Sequence, residues 1–222
     1  MKRWKVSAIL VFLISAAPLC LAQAENEINR KVLALYESKM FPDVFYSPLH
    51  QHAEIALNYL GLEAVFHPVE SPLPTEKEME GYRGVITWFE AADAAPDDEL
   101  YCNWLQTQIS AGRKVVILRE PGFIDKRREM AVSCEEVFKK LGATYGGGAT
   151  TEDSPLLLEI TSKDSQMVEF ERKLTLAEDL DYSPFTVLPG TKSYLKVRRK
   201  DVPDSESDLV FTSSSGGFVH PT

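Results

Sequence analysis

Short, unbroken apolar runs alternate along this chain with stretches in which apolar residues recur every three or four positions. Val32-Leu33-Ala34-Leu35-Tyr36 is apolar throughout, as a strand covered on both faces should be. From Pro48 the apolar residues Leu49, Ala53, Ala56, Leu57 and Leu60 fall at helical spacing, and Gly61 stands where a left-handed stop is expected. The unit then repeats. Ala64-Val65-Phe66 and Gly84 to Phe89 read as strands. Asp97 to Ala111 reads as a helix with Asp97, Asp98 and Glu99 at the positive end of its dipole and a buried stripe of Leu100, Trp104, Leu105 and Ile109. Lys114 to Leu118 is the next buried strand, and Met130, Cys134, Val137, Phe138 and Leu141 mark a third helix ended by Gly142. Strands alternating with helices are joined by right-handed crossovers, so the expected fold is α/β, a largely parallel sheet with helices on both faces.

After Gly146-Gly147-Gly148 the pattern changes. Leu156 to Ile160, Thr186 to Leu188, Tyr194 to Arg199 and Leu209 to Thr212 read as strands with little helix between them, a β-rich extension of the same domain over residues 151–222. The residues from Ser213 to Gly217 read as a linker, of the kind that ends a fragment or a truncated relative of a longer protein.

The first residues belong to a different solvent. Lys2, Arg3 and Lys5 precede an apolar run from Val6 to Leu21, and Ala22-Gln23-Ala24 offers small residues to a signal peptidase, so a leader over 1–24 with cleavage after Ala24 is expected. An uncleaved anchor fits less well, because the run is short of the ~20 residues a span needs and contains Pro18. Ala17-Pro18-Leu19 before Cys20 makes a poor lipidation site. The α/β core then occupies 25–150, no further apolar run of membrane length follows, and the expected location is periplasmic or extracellular.

Removing the three leader cations takes the formal charge from −9 to −12. The remaining basic residues are scattered except at Lys126-Arg127-Arg128 and Lys196 to Lys200, which argues against a nucleic-acid partner and against polyanions that do not meet one of those patches. Cys102 and Cys134 remain after processing; an oxidising compartment allows them to pair, and two separately buried thiols are the alternative. Without accompanying histidines they make no zinc site.

Ligands of open parallel sheets gather beyond the carboxyl ends of the strands. The residues there are Glu37 and Ser38, His67, Trp88 and Glu90, and Arg119 and Glu120, a set of carboxylates that suits a cation or a sugar if the side chains crowd together and is solvated loop charge if they do not. His50, His52 and Glu54 carry metal-ligating groups, but on a helix residues two apart point to nearly opposite sides, so no metal site is expected; His52 or Glu54 facing the cleft is the simpler reading. The triple glycine follows a helix rather than leading into one, so it is a connector and not a phosphate loop. Trp88-Phe89 suits either sugar stacking or the core. No serine sits in a G-x-S-x-G elbow, no cysteine follows a strand as a nucleophile would, and no cofactor is called for.

The segments VLALYESK (Val32 to Lys39), HQHAEIALNYLGL (His50 to Leu62), VFHPVESPLP (Val65 to Pro74) and YRGVITWF (Tyr82 to Phe89), with the strand Gly112 to Leu118, carry a resemblance. Together they resemble the glutamine-amidotransferase-like, Rossmann-type domain that precedes the deacetylase-like region of bacterial exopolysaccharide proteins, including the Pel polysaccharide deacetylase family. The resemblance covers residues 31–122, and Ser207 to Gly217 looks like the segment leading toward the deacetylase-like region. Class I amidotransferases set a cysteine on a sharp turn after a central strand, whereas Val116-Ile117-Leu118 leads here into Arg119-Glu120-Pro121-Gly122, and no deacetylase metal motif is present. The resemblance therefore implies a noncatalytic module of an exported polysaccharide-modifying or export system, binding glycan or a polysaccharide-processing protein. The competing expectations are a hydrolase that uses paired carboxylates, Glu37 with Glu120, as acid and base, and a plain structural domain.

Overall fold

The computed structural model describes residues 29–124, 129–147, 155–160, 173–176, 182–202 and 204–219; the expected leader, the cluster Lys126-Arg127-Arg128 and Gly148 lie outside them. In chain order the elements are β1 (Lys31–Tyr36), α1 (Glu54–Tyr59), β2 (Glu63–Pro68), β3 (Tyr82–Phe89), α2 (Asp98–Ser110), β4 (Lys114–Arg119) and α3 (Val132–Leu141). They are followed by β5 (Ala143–Tyr145), β6 (Leu156–Ile160), β7 (Lys173–Leu176), β8 (Phe185–Val187), β9 (Lys192–Arg199), β10 (Ser207–Ser213) and β11 (Gly216–Val219).

One nine-stranded sheet runs in the order β2-β1-β3-β4-β11-β10-β9-β6-β7. Its β2-β1-β3-β4-β11 half is parallel, and from β11 through β10, β9 and β6 to β7 every pairing is antiparallel. The short strands β5 and β8 form a separate antiparallel pair. This is the expected α/β sheet with a β-rich continuation.

Strand alternation sorts the core into two faces. Leu33, Leu35, Val85, Phe89, Val115, Ile117 and Phe218 pack under α2 and α3 with Leu105, Val137 and Phe138. On the other face Val32, Ala34, Tyr36 and Ile86 meet Leu49 and Ala53. The disulfide Cys102–Cys134, with Cα atoms 5.0 Å apart, ties α2 to α3 inside the first core. A third cluster, Leu156, Tyr182, Val197 and Leu209, packs the antiparallel half.

Three expectations are corrected. The helix expected from Pro48 opens as a π-turn over Leu49–Ala53 before α1 begins, which advances the side chains by about one position relative to an α-helical wheel. Leu49 and Ala53 are buried, Leu57 is half-buried, and Ala56 and Leu60 turn to solvent. In α2 the fully buried residues are Tyr101, Cys102, Leu105 and Gln108, Trp104 and Ile109 pack partly buried against the same core, and Leu100 is exposed. The Asp97 side chain caps that helix by accepting the Leu100 N–H at 2.9 Å.

The residues expected as a linker instead supply a turn and the strand β11, inserted between β4 and β10. Gly216 has φ 148°, and a Cβ placed on it would lie 1.7 Å from the Val115 carbonyl oxygen, so the backbones meet where only glycine fits. Ser207 to Gly217, read by resemblance as a segment leading outward, therefore belongs to the main sheet.

Candidate functional site

The strands β1, β2, β3, β4 and β11 all deliver their carboxyl ends to one edge, and the expected rim residues follow from that direction. Glu37 leaves β1 and turns inward, only 5% exposed. Its carboxylate accepts the backbone N–H of Glu90 at 2.6 Å and that of Ala91 at 3.3 Å, fastening the end of β1 to the loop after β3. Burial raises its pKa above the ordinary carboxylate value, the two N–H donors oppose that, and the charges of Glu90 and Glu70 raise it further.

Glu70 is a member of this edge that reading the sequence missed. Taking β2 to end at Phe66 made His67 the first rim residue, whereas the strand continues to Pro68 and carries the chain on to Glu70. Its carboxylate accepts the N–H of Ser38 at 3.1 Å, the Ser38 hydroxyl at 2.9 Å and the N–H of Lys39 at 2.9 Å. Burial pushes the Glu70 pKa up, but the N–H groups of Lys39, Glu70 itself and Ser38, with the Ser38 hydroxyl, outweigh it and hold the group below its ordinary value. Ser38 thus donates both its N–H and its hydroxyl to Glu70.

Beyond β4 the chain turns sharply. Arg119 has φ 66°, the one left-handed non-glycine residue among those described, and its guanidinium reaches Glu90 with Nη2 2.9 Å from Oε2. Glu120 is 8% exposed and its N–H donates to the Phe89 carbonyl at 3.3 Å, closing an isolated antiparallel bridge. The position where an attacking group would need a bend after a central strand is therefore occupied by a cation. The charges that raise the Glu37 pKa include those of Glu90 and Glu70.

The aromatic and histidine expectations divide between the two faces of the sheet. Phe89 is fully buried in the core under α2, whereas Trp88 is half-buried on the opposite face with its ring 5.6 Å from that of exposed His52. The Trp88 Nε1–H is shielded from solvent and has no acceptor. His50 points elsewhere: its Nδ1 lies 2.5 Å from Glu54, and its ring sits 4.8 Å from Phe45 and 5.9 Å from Phe66. The structure thus joins Glu37, Ser38, Glu90, Arg119 and Glu120 on the rim and sets Trp88 with His52 beside it. Glu54 is placed against His50 instead, and His67 bonds through Nε2 to the Pro72 carbonyl at 3.1 Å.

Of the basic patches, Lys196 is paired with Glu206 and Asp208, which raise its pKa, and Arg199 is fully buried, whereas Lys200 is exposed. Among the described residues no group of three His, Cys, Asp or Glu side chains is arranged to hold a metal ion, and no helix is long and apolar enough to cross a membrane.

No known family model matches the chain, and no curated protein matches it. Solved structures do. A ThuA-like protein from Bacteroides uniformis is similar over 86% of this chain and 81% of its own, with a TM-score of 0.50 and 12% identity. A glutamine amidotransferase from Thermotoga maritima covers 86% of this chain and 74% of its own at a TM-score of 0.44 and 14% identity. One from Methylobacillus flagellatus covers 83% and 66% at a TM-score of 0.45 and 14% identity. At such identities likeness speaks to the fold alone: this chain has an α/β fold similar to that of the ThuA-like protein.

Proposed function

We propose that this protein is a noncatalytic, amidotransferase-like glycan-binding module of an exported polysaccharide-modifying or export system, related to the domain that accompanies Pel-type deacetylases. The observation that carries the reading is Arg119: the strained bend after β4 presents a guanidinium held by Glu90 and not a thiol or hydroxyl. Both oxygens of Glu37 are taken by backbone N–H groups, so that carboxylate serves the architecture of the rim.

A rim of carboxylates and a guanidinium beside a half-buried indole has the chemistry that recognises sugars, with polar groups for hydroxyls and an aromatic ring for the apolar face of a pyranose. The apolar leader and the Cys102–Cys134 disulfide support an exported location, because disulfides persist in oxidising compartments.

The test is calorimetric titration of the exported chain with neutral and acidic oligosaccharides, alongside assays for ammonia release from glutamine and for glycosidic cleavage. Saturable binding that is lost in Trp88→Ala and Arg119→Ala, without turnover, is expected. Turnover abolished by Glu37→Gln would replace this reading with the carboxylate hydrolase.

A further inference from the structure

Two histidines of one turn lie over different strands and are held in different ways. The Leu49 carbonyl accepts the Glu54 N–H five residues on, which makes Leu49–Ala53 a π-turn, a form that recurs at functional sites. From it His50 reaches Phe66 of β2 and His52 reaches Trp88 of β3, on either side of β1. His50 is tied through Nδ1 to Glu54, and its ring lies 4.8 Å from that of Phe45. His52 is exposed, and among the described residues its ring nitrogens have no hydrogen-bond or ion-pair partner, so packing alone holds the ring in place.

What His52 packs against is the indole on which a sugar would stack. The two ring centroids are 5.6 Å apart with their planes 37° from parallel, within the range of aromatic contact. Trp88 is also packed against the core cluster that includes Leu49 and Ala53, so the surface under His52 is what remains of it for a ligand. A pyranose cannot slip between the two rings. It would need a contact of about 4.5 Å to each, or about 9 Å between the centroids.

We infer that His52 is the gate of the Trp88 stacking site: its imidazole occupies the indole in the free protein, and a sugar ring binds by taking its place. This rests on the glycan reading of the rim and adds a displacement step to it. Moving the imidazole forfeits the aromatic pair, which lowers the apparent affinity by about two- to tenfold relative to an open indole. The ring can leave at no further cost in hydrogen bonds, whereas His50 could not leave without giving up Glu54.

The cover is tested first without any sugar. With Trp4 removed with the leader and Trp104→Phe in place, Trp88 is the sole tryptophan, and acrylamide quenching of its fluorescence reports how open the indole is. His52→Ala should raise the quenching constant. His52→Phe, which keeps a ring over the indole, should leave it near the wild-type value, and so should His50→Ala, which loosens the same turn away from Trp88. If Trp104→Phe fails to fold, the same comparison is made with Trp104 present, on the part of the emission that Trp88→Phe removes.

Calorimetric titration with cellohexaose and chitohexaose then reads the gate itself. His52→Ala should bind about two- to tenfold more tightly than wild type, and His52→Phe no more tightly. Equal quenching in wild type and His52→Ala, or an equal rise in His50→Ala, would overturn the inference. Weaker sugar binding in His52→Ala would overturn it too, making the histidine a contact within the site. Increased quenching in His52→Ala with no binding of either sugar to any variant would uphold His52 as the cover of Trp88 and remove the glycan reading instead.

Discussion

The Glu37 carboxylate accepts the Glu90 N–H at 2.6 Å, joining the residue that follows β1 to the one that follows β3. Because burial raises the pKa of Glu37, its ionised form is disfavoured in the folded chain. A carboxyl whose folded pKa is raised contributes stability that is fully present below the unfolded value and lost as pH rises through the folded one. Replacing Glu37 by Gln should therefore cost most in acid, and the gap in thermal midpoint between wild type and Glu37→Gln should narrow as pH climbs from the carboxylate range to neutrality. Melting curves across that range check this; a gap that widens with pH contradicts it.

Glu70 should behave in the opposite sense. Its pKa is held down by the Lys39 and Ser38 donors, so its contribution is present above the ordinary carboxylate value and disappears as pH falls through the depressed one. Glu70→Ala leaves the Ser38 and Lys39 N–H groups without their acceptor and should cost about 1–3 kcal/mol at neutral pH, with little difference from wild type in strong acid. Urea denaturation at the two pH values measures both, and equal losses at both would show that packing rather than charge is at stake.

The disulfide makes a third prediction. Cys102 and Cys134 are fully buried and separated by 32 positions, so the pair Cys102→Ala and Cys134→Ala frees a loop of that length in the unfolded chain. A loss of about 2–4 kcal/mol is expected. Calorimetry of the double variant, compared with wild type in reductant, gives the figure.

How far the sequence disclosed this molecule depends on which physical signal each part carries. β1 is apolar at five successive positions and Gly142 carries a φ of 91°, so a doubly covered strand and a helix stop could be read directly. The stripe of α2 could be read only in part, because Leu100 and Tyr101 are both large neighbours and which of them is covered depends on what the helix packs against. The rim was legible where strands ended as expected, at Glu37 and Arg119, and was missed at Glu70 because β2 runs on into Pro68. β11 was hidden by its composition: Gly216 and Gly217 read as a flexible tail, although glycine in a strand also marks a place where another backbone comes close.

That second meaning of glycine yields a fourth prediction. Gly216→Ala puts a Cβ against the Val115 carbonyl in the middle of the sheet, where the contact is with backbone and no side chain can swing aside. A loss at or above about 1–3 kcal/mol is expected. Gly61→Ala, at a φ of 73° with open space around the added carbon, should cost only the left-handed strain of about 1–2 kcal/mol. Parallel denaturation curves distinguish crowding from conformation.

Arg119 offers the cleanest separation of architecture from recognition. Its φ of 66° costs a non-glycine residue about 1–2 kcal/mol, which glycine would avoid at an entropic cost of about 0.5–1 kcal/mol, and the exposed pair with Glu90 contributes about 0–1 kcal/mol. These nearly cancel, so Arg119→Gly should leave the denaturation midpoint close to wild type while removing the guanidinium from the rim. Arg119→Val keeps the strain and adds a branched carbon to it, and should be destabilised by about 1–3 kcal/mol. If the arginine is there to meet a sugar, both variants lose oligosaccharide binding although only one loses stability. Binding retained in Arg119→Gly would assign the residue to the turn alone and remove the chief support for a glycan on this rim.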